Sequence, residues 1–283
     1  MKNVFTHRNQ APKSSTWAAF PGPTLAPIGI YYISDIGING SMWYNDGVNF
    51  KPIAPINLLN SYYGYIFPSM AAANAATYSQ TLTVLTVTCT GHNIPATVHN
   101  GKSIYLTPGS PSTGAQLPTG LYTNFTYVDA NTFTCVSTTS QTGTGPLNTQ
   151  TSAITVPNFS VLIKGNLLGL NGFFDVQHMS LCNATAGTKR MGFLYDTFSF
   201  KNPSPSSTTS VVQENHRCQN VNNAAKQIAI AAGSTGWAGN STVAQVTATI
   251  NSALDKYITI QVTLSTALDF ITLEHVSIQV QPG

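Results

Sequence analysis

The sequence predicts an all-β fold, and three observations carry this prediction. Charged residues make up only 7% of the chain, against about 25% in an ordinary soluble domain. The polar positions are filled mainly by Thr, Ser and Asn, which suit strands and turns better than helix surfaces. Short runs that alternate apolar and polar residues recur along the chain, bounded by Gly, Pro, Asn or Asp, as is typical of antiparallel strands.

The overall composition narrows the class of protein further. Hydrophobic residues reach 42%, enough apolar surface to offset chain entropy, so a disordered chain is not expected. No apolar run approaches the ~20 residues of a membrane helix, and the first twenty residues lack the apolar core of a signal peptide. The net charge of +3 comes without a basic stripe. We therefore expect no membrane insertion and no nucleic-acid partner.

The first segment, residues 1–29, is expected to be extended and irregular. It holds four prolines, at positions 12, 21, 23 and 27, and proline fixes φ and removes a backbone donor. Such a segment packs poorly on itself. It is either an arm that lies along another protein or a loose terminus.

The second segment, residues 30–80, is predicted to be a small β-meander followed by a linker or short helix. Strand-like runs at 30–33, 42–44 and 48–51 are separated by turn sequences that contain Asn-Gly and Asp-Gly, which supply the positive φ of tight turns. A meander of this size cannot bury its own core, so it should pack on a neighbour. Residues 70–76 are good helix formers and could hold the short helix.

The third segment, residues 81–156, is predicted to be a β-sandwich-like domain. Its first run, TLTVLTVTCT, alternates so that Leu82 and Val84 share one face, opposite the threonines. Three more strand-like runs follow between turn signals. The polar stretch at 137–152 is expected to be a loop.

The last segment, residues 157–283, is predicted to be a jelly-roll-like β domain of about eight strands. Two similar stretches begin with the triplet Ala-Leu-Asp, at Ala253 and Ala267. The first continues with strict alternation of apolar residues. In the second, the alternation breaks phase, and a β-bulge near Glu274 and His275 would restore it.

The acidic residues give little support to an enzyme. Of the seven aspartates, most lie in turn sequences, where the side chain bonds its own backbone. Asp175 and Asp196 lie within strand-like runs, so they are the one pair that could supply the two carboxylates of a glycosidase, about 5–9 Å apart. We expect no catalytic residue and no enzyme activity.

The histidines and cysteines show no metal or cofactor motif. The six histidines form no HxH or HExxH pattern, and a metal shared by His92 and His99 across a turn is the less favoured alternative. The four cysteines lie far apart. They are predicted to be free, mostly buried thiols, although Cys89 and Cys135 could be neighbours across a sheet. No metal site and no cofactor are expected.

Three stretches of the chain together resemble modules of bacteriophage fibre and tail-appendage proteins. They are the meander GIYYISDIGINGSMWYNDGVNFKPI, the middle stretch from TGHNIP to YVDANTFT, and the C-terminal stretch from NHRCQN to VSIQV. The residues that carry the match are Asp35, Gly37, Asn39, Gly40, Ser41 and Trp43 in the first; His92, Gly101, Leu117, Pro118, Gly120, Tyr127 and Phe133 in the second; and Gly236, Gly239, Thr242, Thr247, Thr249, Ile250, Asp255, Leu264, Asp269, Leu273 and Glu274 in the third.

The resemblance implies a structural virion protein, assembled in the cytoplasm of the bacterial host. It implies a short homotrimeric head or tail fibre that anchors on capsid, portal or tail proteins through residues 1–29. The distal β-domains would meet the host surface, with a glycan as the possible ligand. Trp237 and Asn240, in the loop GSTGWAGN, are the candidate contacts, with packing in the core or trimer interface as the alternative for Trp237.

Two other functions remain open from the sequence. A purely architectural decoration or adaptor protein, which cements capsid or tail, would have the same composition. A glycan-degrading spike is the less favoured alternative, because the chain has no β-helical shaft repeats.

Overall fold

A computed structural model describes most of the chain. The described residues are 13–15, 29–33, 37–38, 40–45, 50–70, 76–148, 154–156, 159–183, 185, 189–201, 211–230, 245–266 and 268–283. Within them, the only helix is the four-residue α1 (Ala96–His99), and every other regular element is a strand. The predicted all-β class is confirmed. Apart from residues 13–15 and 29, the proposed arm lies outside the described residues.

The first sheet contains the predicted meander. Its strands are β1 (Lys13–Ser15), β2 (Gly29–Ile33), β3 (Ser41–Asn45) and β4 (Phe50–Pro52). β2, β3 and β4 are antiparallel neighbours, and β1 adds a parallel edge strand beside β2. Gly40 turns the chain before β3 with a φ of +72°, and a Cβ there would overlap the Tyr32 ring. This is the left-handed conformation that the Asn-Gly sequence predicts.

The meander packs on the rest of the molecule, as its small size predicts. Tyr31, Ile33 and Trp43 are buried in one hydrophobic cluster with residues of the C-terminal strands. The indole Nε1 of Trp43 donates a hydrogen bond of 2.7 Å to Oγ of Ser41. The inner face of the first sheet is thus part of a larger core.

The other strands form two sheets. In chain order they are β5 (Ile56–Pro68), β6 (Thr77–Thr81), β7 (Val84–Thr88), β8 (Ser103–Leu106), β9 (Thr113–Gly114), β10 (Gly120–Asp129), β11 (Thr132–Val136), β12 (Gly143–Pro146), β13 (Ile154–Thr155), β14 (Val161–Ile163), β15 (Phe173–Cys182), β16 (Lys189–Tyr195), β17 (Phe198–Lys201), β18 (Val211–Asn220), β19 (Gln227–Ile230), β20 (Gln245–Ala248), β21 (Lys256–Leu264) and β22 (Phe270–Gln281). The second sheet has thirteen strands in the order β20-β19-β18-β15-β22-β5-β8-β10-β11-β7-β6-β12-β9. The third has the order β13-β21-β16-β17, and β14 also pairs with β21.

β5 joins the two halves of the thirteen-stranded sheet. It runs antiparallel to β22 on one side and parallel to β8 on the other. The predicted linker or helix in this part of the chain is therefore wrong for residues 56–68, which form a strand that buries Ile66 and Phe67. Residues 71–75, the middle of the predicted helix, lie outside the described residues.

Two expectations for the third segment are corrected. The run TLTVLTVTCT is not one strand. It contains the end of β6, a hairpin turn at Leu82, which has a φ of +57°, and β7. Leu82 and Val84 are exposed, whereas Leu85 and Val87 are buried, because only the β7 residues on the opposite face meet the core. The predicted loop at 137–152 contains β12, which pairs with β6 and β9.

The C-terminal strands form the predicted sandwich. The third sheet and strands β5, β15, β18 and β22 of the second sheet bury their facing side chains in one hydrophobic cluster. Ile258, Ile260 and Val262 of β21 are completely buried, which confirms the predicted alternation. The register of β22 shifts between Leu273 and His275 against both neighbouring strands. The predicted bulge near Glu274 is confirmed.

A second hydrophobic cluster fills the middle of the chain. It lies under β6, β7, β8, β10 and β11 and is dominated by aromatic and aliphatic side chains. Phe125 and Phe133 are fully buried with ring centroids 5.1 Å apart. The boundary predicted at 156/157 falls beside β13, whose Ile154 packs in the C-terminal cluster together with Val156.

The four cysteines are free and buried, as predicted. Cys89 and Cys135 are not cross-strand partners: Cys135 lies opposite Leu85, while Cys89 follows the end of β7. Burial raises the pKa of the Cys135 thiol to about 12. A thiol in this state is inert packing material.

Candidate functional site

Asp175, the first candidate glycosidase acid, is held by a cation on the outer face of β15. Nε and Nη2 of Arg217 donate hydrogen bonds of 2.8 and 2.7 Å to its two carboxylate oxygens. The same guanidinium lies 3.7 Å above the ring of Phe173. Both carboxylate oxygens are therefore occupied by the arginine, which does not suit a catalytic acid.

Asp196, the second candidate, is a turn residue. It links β16 to β17 with a φ of +55°, so the prediction that it lies inside a strand is wrong. Its Oδ2 accepts a hydrogen bond of 2.7 Å from Nζ of Lys256. Asp175 and Asp196 lie in different sheets, and each has its own cation.

The remaining described aspartates differ in role. Asp129 accepts a hydrogen bond from the backbone N–H of Asn131 in the turn between β10 and β11, as predicted for a turn aspartate. Asp255 accepts one from the N–H of Gly165. Asp269 forms a buried ion pair, 3.5 Å from Nζ of Lys189, with both side chains at most 2% exposed. Asp35 and Asp46 lie outside the described residues.

His92 and His99 occupy separate buried environments. Nδ1 of His92 accepts a hydrogen bond from the N–H of Ile94, so its Nε2 is the nitrogen that donates to the carbonyl of Asp129. Both nitrogens of His92 are thereby used by the backbone. The His99 ring packs edge-on against Phe270, and burial lowers its pKa to about 4. Because both ring nitrogens of His92 are bonded to the backbone, neither is available as a metal ligand.

A different set of residues comes together between the sheets of the C-terminal sandwich. His178 of β15 lies directly opposite Glu214 of β18, and His216 is two residues further along β18. Side chains two apart on a strand share a face, so all three point to the same side of the sheet. One ligand atom from each lies within 4.8 Å of the others. We call these three residues the His–Glu cluster.

The His–Glu cluster is enclosed on the side of the third sheet. The two imidazole centroids are 5.3 Å apart, and the Phe193 ring of β16 lies 5.0 Å from His178 and 5.6 Å from His216. Both histidines are buried, whereas the Glu214 side chain is 23% exposed. Nε2 of His216 lies 3.1 Å from Oε2 of Glu214, at ion-pair distance but without the angles of a hydrogen bond.

Sequence reasoning did not find this cluster. The three residues match neither HxH nor HExxH spacing, because His178 precedes Glu214 by thirty-six positions and lies on another strand. A weaker signal was present: Glu-Asn-His at 214–216 on a predicted strand places an acid and an imidazole on one face. The third residue, His178, could come only from the strand pairing.

The first sheet carries an apolar face that points away from the core. Ile30 lies opposite Tyr44 in the register, Ile53 is bonded through its N–H to the carbonyl of Met42, and all four side chains are exposed. We call these four residues the outer apolar face. The adjacent strand β1 belongs to the segment predicted as an attachment arm. Apolar side chains grouped in this way on a soluble surface are typical of protein interfaces.

The predicted host contacts, Trp237 and Asn240, lie outside the described residues. Within the described part of the chain, no helix has both the length and the apolar character needed to cross a membrane. Comparison of the chain with protein-family models gives no match, and comparison with curated protein sequences gives no significant one.

Proposed function

We propose that the protein is a non-enzymatic structural subunit of a bacteriophage particle, a short trimeric head or tail fibre that anchors by its N-terminal region and presents β-domains to the host surface. The observation that carries the proposal is the outer apolar face. It lies on the first sheet, beside the strand contributed by the N-terminal segment.

The chemistry of the outer apolar face favours association over solvation. A lone soluble subunit normally relies on surface charge to stay apart from its copies, and only 7% of this chain is charged. The face is aliphatic and aromatic, with Lys51 opposite Tyr44 as its charged neighbour. Covering it with identical faces of other copies, or with a virion protein, removes this apolar surface from water.

The position of the face suits an anchor. The opposite side of the first sheet is buried in the C-terminal cluster through Tyr31, Ile33 and Trp43, so a contact on the outer side is held by the core. β1 places part of the N-terminal segment along the edge of the same sheet. β1 and the outer apolar face thus belong to one sheet, which supports attachment through this region.

The described acids support a non-enzymatic function. The two carboxylates considered for glycan cleavage lie in different sheets, each bound to a lysine or arginine. A retaining or inverting glycosidase needs its two carboxyl groups to flank one bond. Host attachment would instead rest on several copies of a weak site, which gain effective concentration from a common anchor.

The second candidate is an architectural decoration or adaptor protein, which the same outer apolar face would serve. The experiment that separates the two uses particles produced without this protein and then incubated with the purified full-length chain. We expect the chain to bind these particles and to restore their adsorption to host cells. Binding that restores only particle stability would favour the adaptor.

Failure to bind the deficient particles would overturn both virion functions. The same preparations are incubated with purified host polysaccharide, and the release of reducing sugars is measured. No release is expected, and release that Asp175→Asn abolishes would establish the glycan-degrading alternative.

A further inference from the structure

We propose that the His–Glu cluster binds one divalent transition-metal ion, with zinc as the best-suited metal, and that this ion ties β15 to β18 inside the sandwich. This site is separate from the attachment function and needs no part of it. Its ligands are His178, Glu214 and His216.

The donor set selects the class of metal. Two imidazoles and one carboxylate are ligands that zinc takes in three-protein-ligand sites. Calcium and magnesium require mostly oxygen ligands, so a site with two imidazoles disfavours both. Among first-row divalent ions, nitrogen-rich sites also take cobalt, nickel and copper, which makes these ions useful probes.

The geometry is close to that of a bound site. Ligand atoms about 2.0–2.1 Å from zinc in a tetrahedral arrangement lie about 3.3 Å apart. Nε2 of His216 and Oε2 of Glu214 are already 3.1 Å apart. All three ligand atoms lie within 4.8 Å of one another. To reach the spacing of a bound site, the distances between them must shorten by about 1.5 Å at most, which side-chain rotation can provide.

The backbone fixes the ligands on both strands. His178 and Glu214 are register partners in the antiparallel pair of β15 and β18, and this pair continues without a register shift from Phe173 to Leu181. The strand pairing therefore sets the spacing of the ligands before any ion arrives, which reduces the entropy lost on binding.

The surroundings distinguish this cluster from a surface group of polar residues. Both imidazoles are buried, at 2% and 6% exposure, and the ring of Phe193 covers them from the third sheet. A carboxylate beside two buried imidazoles, at the edge of a low-dielectric interior, attracts a cation strongly. The partial exposure of Glu214 leaves an entry path from the edge of the sandwich.

The test is a zinc titration of the full-length chain, freed of metal with a chelator and followed by calorimetry. We expect one equivalent of Zn²⁺ to bind. Glu214→Gln, which keeps the size of the side chain and lies at the exposed edge of the cluster, should weaken binding by about 100-fold or more, since even outer-shell changes cost 10–100-fold. His275→Gln is the matched control, because it removes a partly exposed imidazole that bonds Asn60 outside the cluster, and it should bind as the wild type does.

A second measurement guards against variants that fail to fold. Circular dichroism and thermal melting without metal establish that Glu214→Gln is folded, and zinc should raise the melting temperature of the wild type but not of this variant. Co²⁺ should give the visible absorption of a low-symmetry nitrogen–oxygen site in the wild type only. Absence of zinc binding by the folded wild type, or equal binding by Glu214→Gln, would overturn the proposal.

Discussion

The two hydrophobic clusters share one sheet but differ in the charge of the polar side chains buried beside them. In the middle cluster, the buried polar side chains are neutral: His92 bonds only the backbone, and Gln80 donates to two backbone carbonyls. In the C-terminal sandwich, charged groups are enclosed, namely the ion pair of Lys189 with Asp269 and the carboxylate of Glu214 beside two imidazoles.

The difference follows from how each interior is closed. Backbone groups at the turns around β7, β10 and β11 lie next to the middle cluster and can satisfy neutral side chains there. The sandwich instead presents the flat inner faces of two sheets, whose backbone groups already pair along the strands. Polar side chains on those faces therefore contact each other, as Lys189 does with Asp269 and His216 with Glu214, because a charge that is buried without a counter-charge is costly. Removing one charged side chain should therefore lower the free energy of unfolding more in the sandwich than in the middle cluster.

The largest effect is expected from Lys189→Met. The change leaves the buried carboxylate of Asp269 without its cation and with the hydroxyl of Thr185 as a hydrogen-bond donor, and breaking one side of a buried pair costs about 3–5 kcal/mol. Urea unfolding of wild type and variant measures the loss of free energy of unfolding.

Two controls isolate the buried charge. Lys256→Met removes a cation from the partly exposed pair with Asp196 and should cost at most about 1 kcal/mol. The double change Lys189→Met with Asp269→Leu should recover part of the loss, because no charge is left unpaired. A single Lys189→Met variant as stable as Lys256→Met would show that the sandwich tolerates an isolated charge.

The next effect concerns stability at acid pH, and it tests whether His99 is neutral in the folded protein. Burial, and then the nearby charge of Lys102, lower the pKa of His99 from 6.5 to about 4 in the folded protein. As pH falls below about 6.5, the unfolded chain takes up a proton that the folded chain refuses. Stability is therefore full above that pH and falls between about 6.5 and 4, by up to about 3 kcal/mol.

His99→Gln should flatten this dependence. Urea unfolding at several pH values between 7 and 4 should show a smaller loss for the variant than for the wild type. Some loss remains in both, because burial also lowers the pKa of His92. Identical slopes for the two proteins would mean that His99 is not held neutral by its surroundings.

The smallest effect is a gain of stability at the hairpin of β6 and β7. Leu82 is exposed and has a φ of +57°, a conformation that costs a leucine about 1–2 kcal/mol. Leu82→Gly removes this strain but adds chain entropy to the unfolded state, for a net gain of about 0.5–1 kcal/mol.

Val84→Gly is the matched control, since Val84 is also exposed and lies within β7. It should lose about 1 kcal/mol. Thermal melting of both variants checks the pair, and a loss for Leu82→Gly would contradict the assignment of the turn.

Much of the fold could be predicted because local chemistry decides it. The alternation from Ile258 to Leu264 and the phase break at Glu274 each specify a strand face on their own, and both are confirmed. β5 was not predictable from its sequence, because its residues do not alternate and its strand character comes from pairing with β22 and β8.

The candidate site could not be predicted, because it depends on turn positions and on strand register, which the local sequence does not specify. The turn at Asp196 and the hairpin at Leu82 look like continuous strands, because a non-glycine residue with positive φ gives no clear signal. The His–Glu cluster requires the register of two distant strands. The low charge is a property of the composition alone, and the assembly that it predicts stays a prediction.

The most direct test of the account measures the mass of the full-length chain in solution by light scattering. We predict three times the chain mass of 30.1 kDa for the wild type, and the monomer mass for Met42→Lys with Tyr44→Lys, which charges the outer apolar face. Val128→Lys, at an exposed apolar residue of β10, should remain trimeric. A monomeric wild type, or a folded double variant that keeps the mass of a trimer, would contradict association through this face.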